Sequence, residues 1–118
     1  MRNVAEMNLA ELQDRALRAT ALLKAMANPV RLIILCQLAE GEKSVGELER
    51  VVDVSQSALS QHLALLRSRE LVRPRRAGQA IYYSLCGAEA PALLAALYEV
   101  YCSKVGKPRA SRRASAPA

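Results

Sequence analysis

Apolar residues recur along much of this chain at three- and four-residue spacings, the signature of helices with one buried face. In "NLAELQDRALRATALLKAM" the stripe is Leu9, Leu12, Ala16, Ala19, Leu22, Leu23 and Met26, and Asn8 with Glu11 has the spacing of a capping arrangement at the helix start. In "ANPVRLIILCQLAEG", Asn28 is placed as a cap, Pro29 falls at the first helical position, where its missing N–H costs nothing, and Gly41 ends the helix. A third, short helix is predicted in "SVGELERVV" from the Ser44 to Glu47 capping box, with a turn at Asp53-Val54. Ser55 opens a fourth, "SQSALSQHLALLRSRE". Its apolar stripe is Leu59, Leu63 and Leu66, while Ser57, Gln61, Ala64 and Ser68 project from the opposite side and Ser60 and Arg67 from its flank.

The period then changes. "LVRPRRAGQAIYYSL" predicts two short strands joined around Ala77-Gly78, and Pro74 confines the first to an edge or a bulge. "APALLAALYEVYC" returns to helical spacing, with Pro91 near its start and Leu93, Leu94, Leu97, Val100 and Tyr101 available for burial. Five helices with a small β-hairpin wing after the fourth describe a mainly α winged helix-turn-helix, in which the second of two crossed helices enters a DNA major groove. The first and last helices carry more apolar surface than so small a core can absorb, and a homodimer through these two helices would bury it.

Composition narrows this reading. A chain of 118 residues suits one domain with one modest core. With no Phe and no Trp, that core must be built from Leu, Val, Ile, Ala and a few Tyr. No apolar run approaches the roughly eighteen residues of a membrane span, and "MRNVAEMNLAELQDR" lacks the apolar centre of a secretory signal, so a cytoplasmic location is expected. Three cysteines in that compartment stay reduced by default, which makes any disulfide an event rather than a staple.

Charge speaks of partners. The formal net charge of +6 divides into −1 over residues 1–54, +4 over 55–85, −2 over 86–103 and +5 over 104–118. A basic block that coincides with the fourth helix and hairpin suits a polyanion, double-stranded DNA above all. Residues 1–103 are expected to form the DNA-binding and dimerisation domain. Residues 104–118, rich in Pro, Ser, Ala and Arg, cannot form a core and are expected to be a disordered basic tail, either touching DNA or only aiding solubility.

The segment "SVGELERVVDVSQSALSQHLALLRSRELVRPRRAGQAIYYSL", with "NPVRLIILCQL" before it, resembles the ArsR family of bacterial winged-helix repressors over roughly residues 15–103. The resemblance implies a recognition helix in which Gln56, Ser57, Ser60 and Gln61 face DNA. Their short hydroxyls and amides can bond base edges or phosphates without holding the backbone away. Arg67, Arg73, Arg75 and Arg76 are expected on phosphates, with Arg75, Arg76 and Gln79 near the wing tip as the foremost contacts. His62, the one histidine, sits at the edge of the apolar stripe in a structural or phosphate-contacting role; without a second imidazole it does not make a metal site.

Family members that sense metals use cysteine pairs on the third helix or His/Asp sets on the last. "SVGELERVV" has no cysteine and the last helix neither His nor Asp, so no metal and no cofactor is expected. What remains is Cys36 on the second helix and Cys102 at the end of the last. This pair resembles that of the sulfide- and persulfide-responsive, biofilm growth-associated repressor-like branch. The resemblance implies a repressor that holds operator DNA when reduced and is released when reactive sulfur species join the two thiols by a disulfide or a longer sulfur bridge. Tethering the last helix to the second would shift two recognition helices that must match half-sites about 34 Å apart.

Alternatives stay open at this level. A free cysteine among aliphatic residues is commonly a small core hydrophobe, and apolar neighbours should disfavour a thiolate at Cys36. Cys102, with Lys104 close by, is then expected to react first. Cys86 matches no sensing position and reads as structural, although a third thiol leaves room for arsenite or another soft ion. A metalloid- or peroxide-responsive repressor, or a DNA-binding protein without a thiol switch, are the competing readings. With no C-x-x-C motif and no βαβ context, a thiol oxidoreductase is not expected, nor any other enzyme.

Overall fold

The computed structural model describes residues 6–102. The chain order is α1 (Leu9–Met26), α2 (Pro29–Ala39), β1 (Lys43–Ser44), α3 (Val45–Glu49), α4 (Gln56–Ser68), β2 (Val72–Ala77), β3 (Ala80–Leu85) and α5 (Glu89–Tyr101). The basic stretch expected to be a separate tail, and Lys104 with it, lies outside the described residues.

Local chemistry sets most of the boundaries. Asn8 Oδ1 accepts from the Glu11 N–H at 2.8 Å while Glu11 Oε1 accepts from the Asn8 N–H at 3.2 Å, so two orphan amides are satisfied at once. Asn28 Oδ1 takes the N–H groups of both Val30 and Arg31 with Pro29 between cap and helix, and α1 and α2 meet there at 96°. Ser44 and Glu47 form the second capping box, and Ser55 Oγ accepts from the Ala58 N–H to start α4. The end of α4 is less ordinary. Glu70 adopts φ 60° at a position that usually takes glycine, while the Leu71 N–H reaches back to the Leu66 carbonyl and the Cys86 thiol donates to the Glu70 carbonyl at 3.1 Å.

The sheet has one more strand than the hairpin expected from sequence. β1, two residues long, pairs antiparallel with β3, giving the order β1-β3-β2. A two-residue segment carries no periodicity, so only its tertiary partner reveals it. Pro74 lies in β2, an edge strand, opposite Tyr83, where its lack of a donor N–H is tolerated. Ala77 pairs with Ala80 around the two-residue loop Gly78-Gln79, and Gly78 has φ 63°, a conformation open to a residue without Cβ.

Ile34, Leu35, Leu48, Leu59 and Leu66 form the centre of the core, closed by Ala25, Met26, Leu38, Leu63, Ala90 and Leu94 from the surrounding helices. α4 therefore buries the stripe its periodicity announces and holds its other face outward. Large apolar side chains stay exposed on α1 (Leu9, Leu12, Leu17 and Leu23) and on the end of α5 (Tyr98, Val100 and Tyr101), the two helices whose apolar surface exceeds what this core can take up. No single described helix is long and apolar enough to cross a membrane.

Candidate nucleic-acid interface and thiol pair

The outward face of α4 is built by exclusion: with Leu59, Leu63 and Leu66 committed to the core, Gln56, Ser57, Ser60, Gln61, Ala64 and Arg67 are all exposed. A groove runs between this face, the α3 end and the hairpin, lined among others by Glu49, Gln56, Ser60, Arg67 and Gln79. Arg73, Arg75, Arg76 and Gln79 are exposed on the wing. Alternation along β2 puts Arg73 and Arg75 on one face and Arg76 on the other. Arg75 is engaged: its Nε and Nη2 donate to the two Glu42 carboxylate oxygens at 2.9 and 2.8 Å, and its guanidinium carbon lies 4.9 Å from the Tyr82 ring centroid. In register Arg75 faces Tyr82, whereas Arg76 faces Ile81, one pair nearer the loop.

His62 is half-buried, and its Nδ1 lies 3.4 Å from Arg31 Nη1. Arg31 is a donor only, so this contact uses an unprotonated Nδ1. The same guanidinium donates through Nε to the Ala25 carbonyl at 2.6 Å and through Nη2 to the Lys24 carbonyl at 3.2 Å, closing the end of α1. Of the two roles expected for His62, this geometry favours the structural one, a bond between α2 and α4.

The thiols differ from the core reading. Cys36, between fully buried Leu35 and half-buried Gln37, is exposed, because the helix turn that buries Ile34, Leu35 and Leu38 leaves Ile33 and Cys36 on the outer face. Cys102 is exposed at the C-terminal cap of α5. Both are free, and they are near enough that charge on one is felt by the other: desolvation pushes the Cys36 thiol above its ordinary value, and the neighbouring Cys102 adds to the rise. Cys86 is half-buried and bonded to Glu70, and among the described residues no three His, Cys, Asp or Glu side chains gather where they could hold a metal ion. The three thiols do not form one cluster.

A sequence profile of the ArsR family of bacterial regulatory proteins matches residues 28–73, from the α2 cap to the start of the wing. The transcriptional activator HlyU of Vibrio cholerae is 49% identical over 98 residues, covering 83% of this chain and 91% of that protein. This chain belongs to the ArsR family. The biofilm growth-associated repressor of Agrobacterium fabrum is 42% identical over 101 residues, 86% of each chain. Among solved structures, reduced HlyU from Vibrio cholerae superposes with a TM-score of 0.77 at 47% identity, over 80% of this chain and all (100%) of that one. The transcriptional repressor BigR from Xylella fastidiosa gives 0.75 at 42% identity, over 83% and 100%.

This ArsR protein is accordingly a winged helix-turn-helix transcriptional regulator, as its sequence suggested. Two contacts escaped the sequence reading. Glu42 meets Arg75 across 33 residues, and Glu49 accepts a hydrogen bond from Gln56 at 2.9 Å across the turn between α3 and α4. The first has no local signal. The second had a weak one, an acid closing one short helix and an amide opening the next.

Proposed function

We propose that this ArsR-family regulator is a thiol-switched repressor that holds operator DNA as a reduced homodimer and lets go when Cys36 and Cys102 are joined. The reading is carried by two free, exposed thiols, Cys36 on α2 and Cys102 at the end of α5, with Cys102 close enough to add to the rise of the Cys36 thiol. A solved relative's description as "reduced" HlyU, and the repressor names of other relatives, support it. Gln56, Ser57, Ser60 and Gln61 read the major groove, while Arg67, Arg73, Arg76 and Gln79 hold phosphates. The exposed apolar side chains of α1 and α5 form the homodimer interface. Thiols that work only when reduced fit the cytoplasm.

The chemistry balances with a persulfide or polysulfide as oxidant. One cysteine thiolate attacks a sulfane sulfur, the sulfur–sulfur bond of the donor breaks, and a thiolate leaves. The second cysteine thiolate then attacks the new protein persulfide at its inner sulfur. Hydrosulfide departs, and both electrons given up by the two cysteines end on it. A further sulfane sulfur leaves a longer bridge.

The test is a mobility shift on the promoter region of the chain's own gene, with and without polysulfide, together with mass spectrometry of the treated protein. Release accompanied by a Cys36 to Cys102 crosslink, and no release in Cys36→Ser or Cys102→Ser, is the expected outcome; release in either variant overturns the switch. One observation favours a second reading of the sign, since HlyU is named an activator. A promoter–reporter strain lacking the gene would then lose expression rather than gain it.

A further inference from the structure

We propose that Glu49 determines sequence specificity by pinning Gln56 into the amide orientation that reads adenine. The inference rests on α4 being the recognition helix and adds a residue that makes no base contact of its own.

Gln56 is the first helical residue of α4, directly after the Ser55 cap, and Glu49 is the last of α3. Both are exposed and both line the groove between α4 and the wing. Gln56 Nε2 stands 2.9 Å from Glu49 Oε2. An ionised carboxylate has no proton to give, so the amide nitrogen must be the group turned toward Glu49, and chemistry settles which way the amide lies. One Nε2 hydrogen is consumed. In the proposed arrangement Glu49 takes the Nε2 hydrogen anti to Oε1, which leaves the other hydrogen and the Oε1 acceptor side by side on a planar group.

That remainder is the complement of adenine, whose major-groove edge shows the N7 acceptor beside the N6 donor. Guanine shows two acceptors, N7 and O6. An untethered glutamine could turn both of its hydrogens toward them, or flip; a tethered one has a single hydrogen left, and the nearby carboxylate repels acceptor edges as well. The arrangement has a cost, because a negative charge at the mouth of the groove also repels phosphate. Glu49 thus lowers affinity for all DNA while raising the difference between sequences, a discrimination that works partly by penalising the wrong partner.

This opposition of signs is the test. Reduced wild-type protein, Glu49→Ala, Glu49→Gln, Gln56→Ala and the double variant Glu49→Ala/Gln56→Ala are each selected against duplexes with a randomised core, and bulk affinity is measured on unselected DNA. Wild type is expected to prefer adenine at one position of each half-site by roughly tenfold, and Gln56→Ala to erase that preference. Glu49→Ala should weaken it by about threefold or more at that position alone while binding unselected DNA more tightly. The double variant should match Gln56→Ala there. Glu49→Gln, whose amide can accept from Gln56 Nε2 but can also donate to its Oε1, should keep a preference between those of wild type and Glu49→Ala, which a loss of folding would not do. An unchanged preference in Glu49→Ala, or one altered equally at every position, overturns the role of Glu49. A Gln56→Ala profile identical to wild type shows instead that Gln56 is no base reader, and removes the proposal with its premise.

Discussion

Arg75 holds Glu42 through two parallel hydrogen bonds, Nε to Oε2 at 2.9 Å and Nη2 to Oε1 at 2.8 Å, tying β2, the first strand of the wing hairpin, to the residue just before β1. The hydrogen bond from Arg75 is the main reason the Glu42 carboxyl sits below its ordinary value; desolvation opposes it and the guanidinium charge adds to it. A carboxyl depressed by folding contributes stability that is complete above its unfolded value and lost as pH falls through the folded one. The tie should therefore be indifferent to pH from about 5 upward and release only in acid, below the usual glutamate range of about 4.3. A carbon-detected NMR titration of the Glu42 carboxyl is expected to show its midpoint below that range, and Arg75→Ala to bring it back.

The same tie separates two neighbouring arginines. Arg76 is exposed, points to the other face of β2 and stands one pair nearer the loop, whereas much of the charge of Arg75 is already answered. Arg76→Ala is expected to weaken binding to all duplexes alike and to reduce the slope of log affinity against log salt by about 1. Arg75→Ala should reduce it less, and Glu42→Gln should steepen it by freeing Arg75. Equal slopes for Arg75→Ala and Arg76→Ala would show that DNA displaces Glu42 on binding.

Thiol reactivity follows from the raised Cys36 value. Nucleophilic attack requires thiolate, so alkylation of Cys36 at neutral pH should lag that of Cys102 and accelerate toward higher pH. Cys102→Ala removes the second cause of the rise and should make Cys36 react faster at neutral pH. Peptide mapping after brief iodoacetamide treatment reads both effects; a Cys36 that alkylates first contradicts the order. Cys86→Ser should leave the response to polysulfide intact.

Leu17 is 74% exposed on α1 and Tyr101 78% exposed on α5, on the same two helices as the other large exposed apolar side chains, and the proposed homodimer interface would cover both. Leu17→Asp is expected to sediment as a monomer and to lose about 100-fold or more in operator affinity, because two half-sites are then no longer engaged by one tethered pair. A dimer that survives this change would relocate the interface.

Glu70 ends α4 at φ 60°. A side chain in the left-handed region costs about 1–2 kcal/mol, partly offset by the larger unfolded-state entropy of glycine. Glu70→Gly should raise stability by about 0.5–1 kcal/mol in urea unfolding, with DNA binding unchanged.

What the sequence by itself determined is what depends on neighbours a few residues away. The Asn8, Asn28, Ser44 and Ser55 caps are bonds to amides two or three positions on, the Leu59, Leu63 and Leu66 stripe is a matter of helical period, and Pro74 forbids a central strand by its own covalent structure. The family was legible in the run from Ser55 to Arg67 for the same reason, since a recognition helix must show a core face and a DNA face within one short stretch. Only the tertiary structure decided where Cys36 points, which arginine of the wing is already paired, and that His62 bonds to Arg31 rather than standing free. The facing of Cys36 depends on which side of α2 the rest of the core covers, and the other two join elements that chain folding brings together across about thirty residues or more; neither charge nor periodicity in one segment records what the other will place beside it.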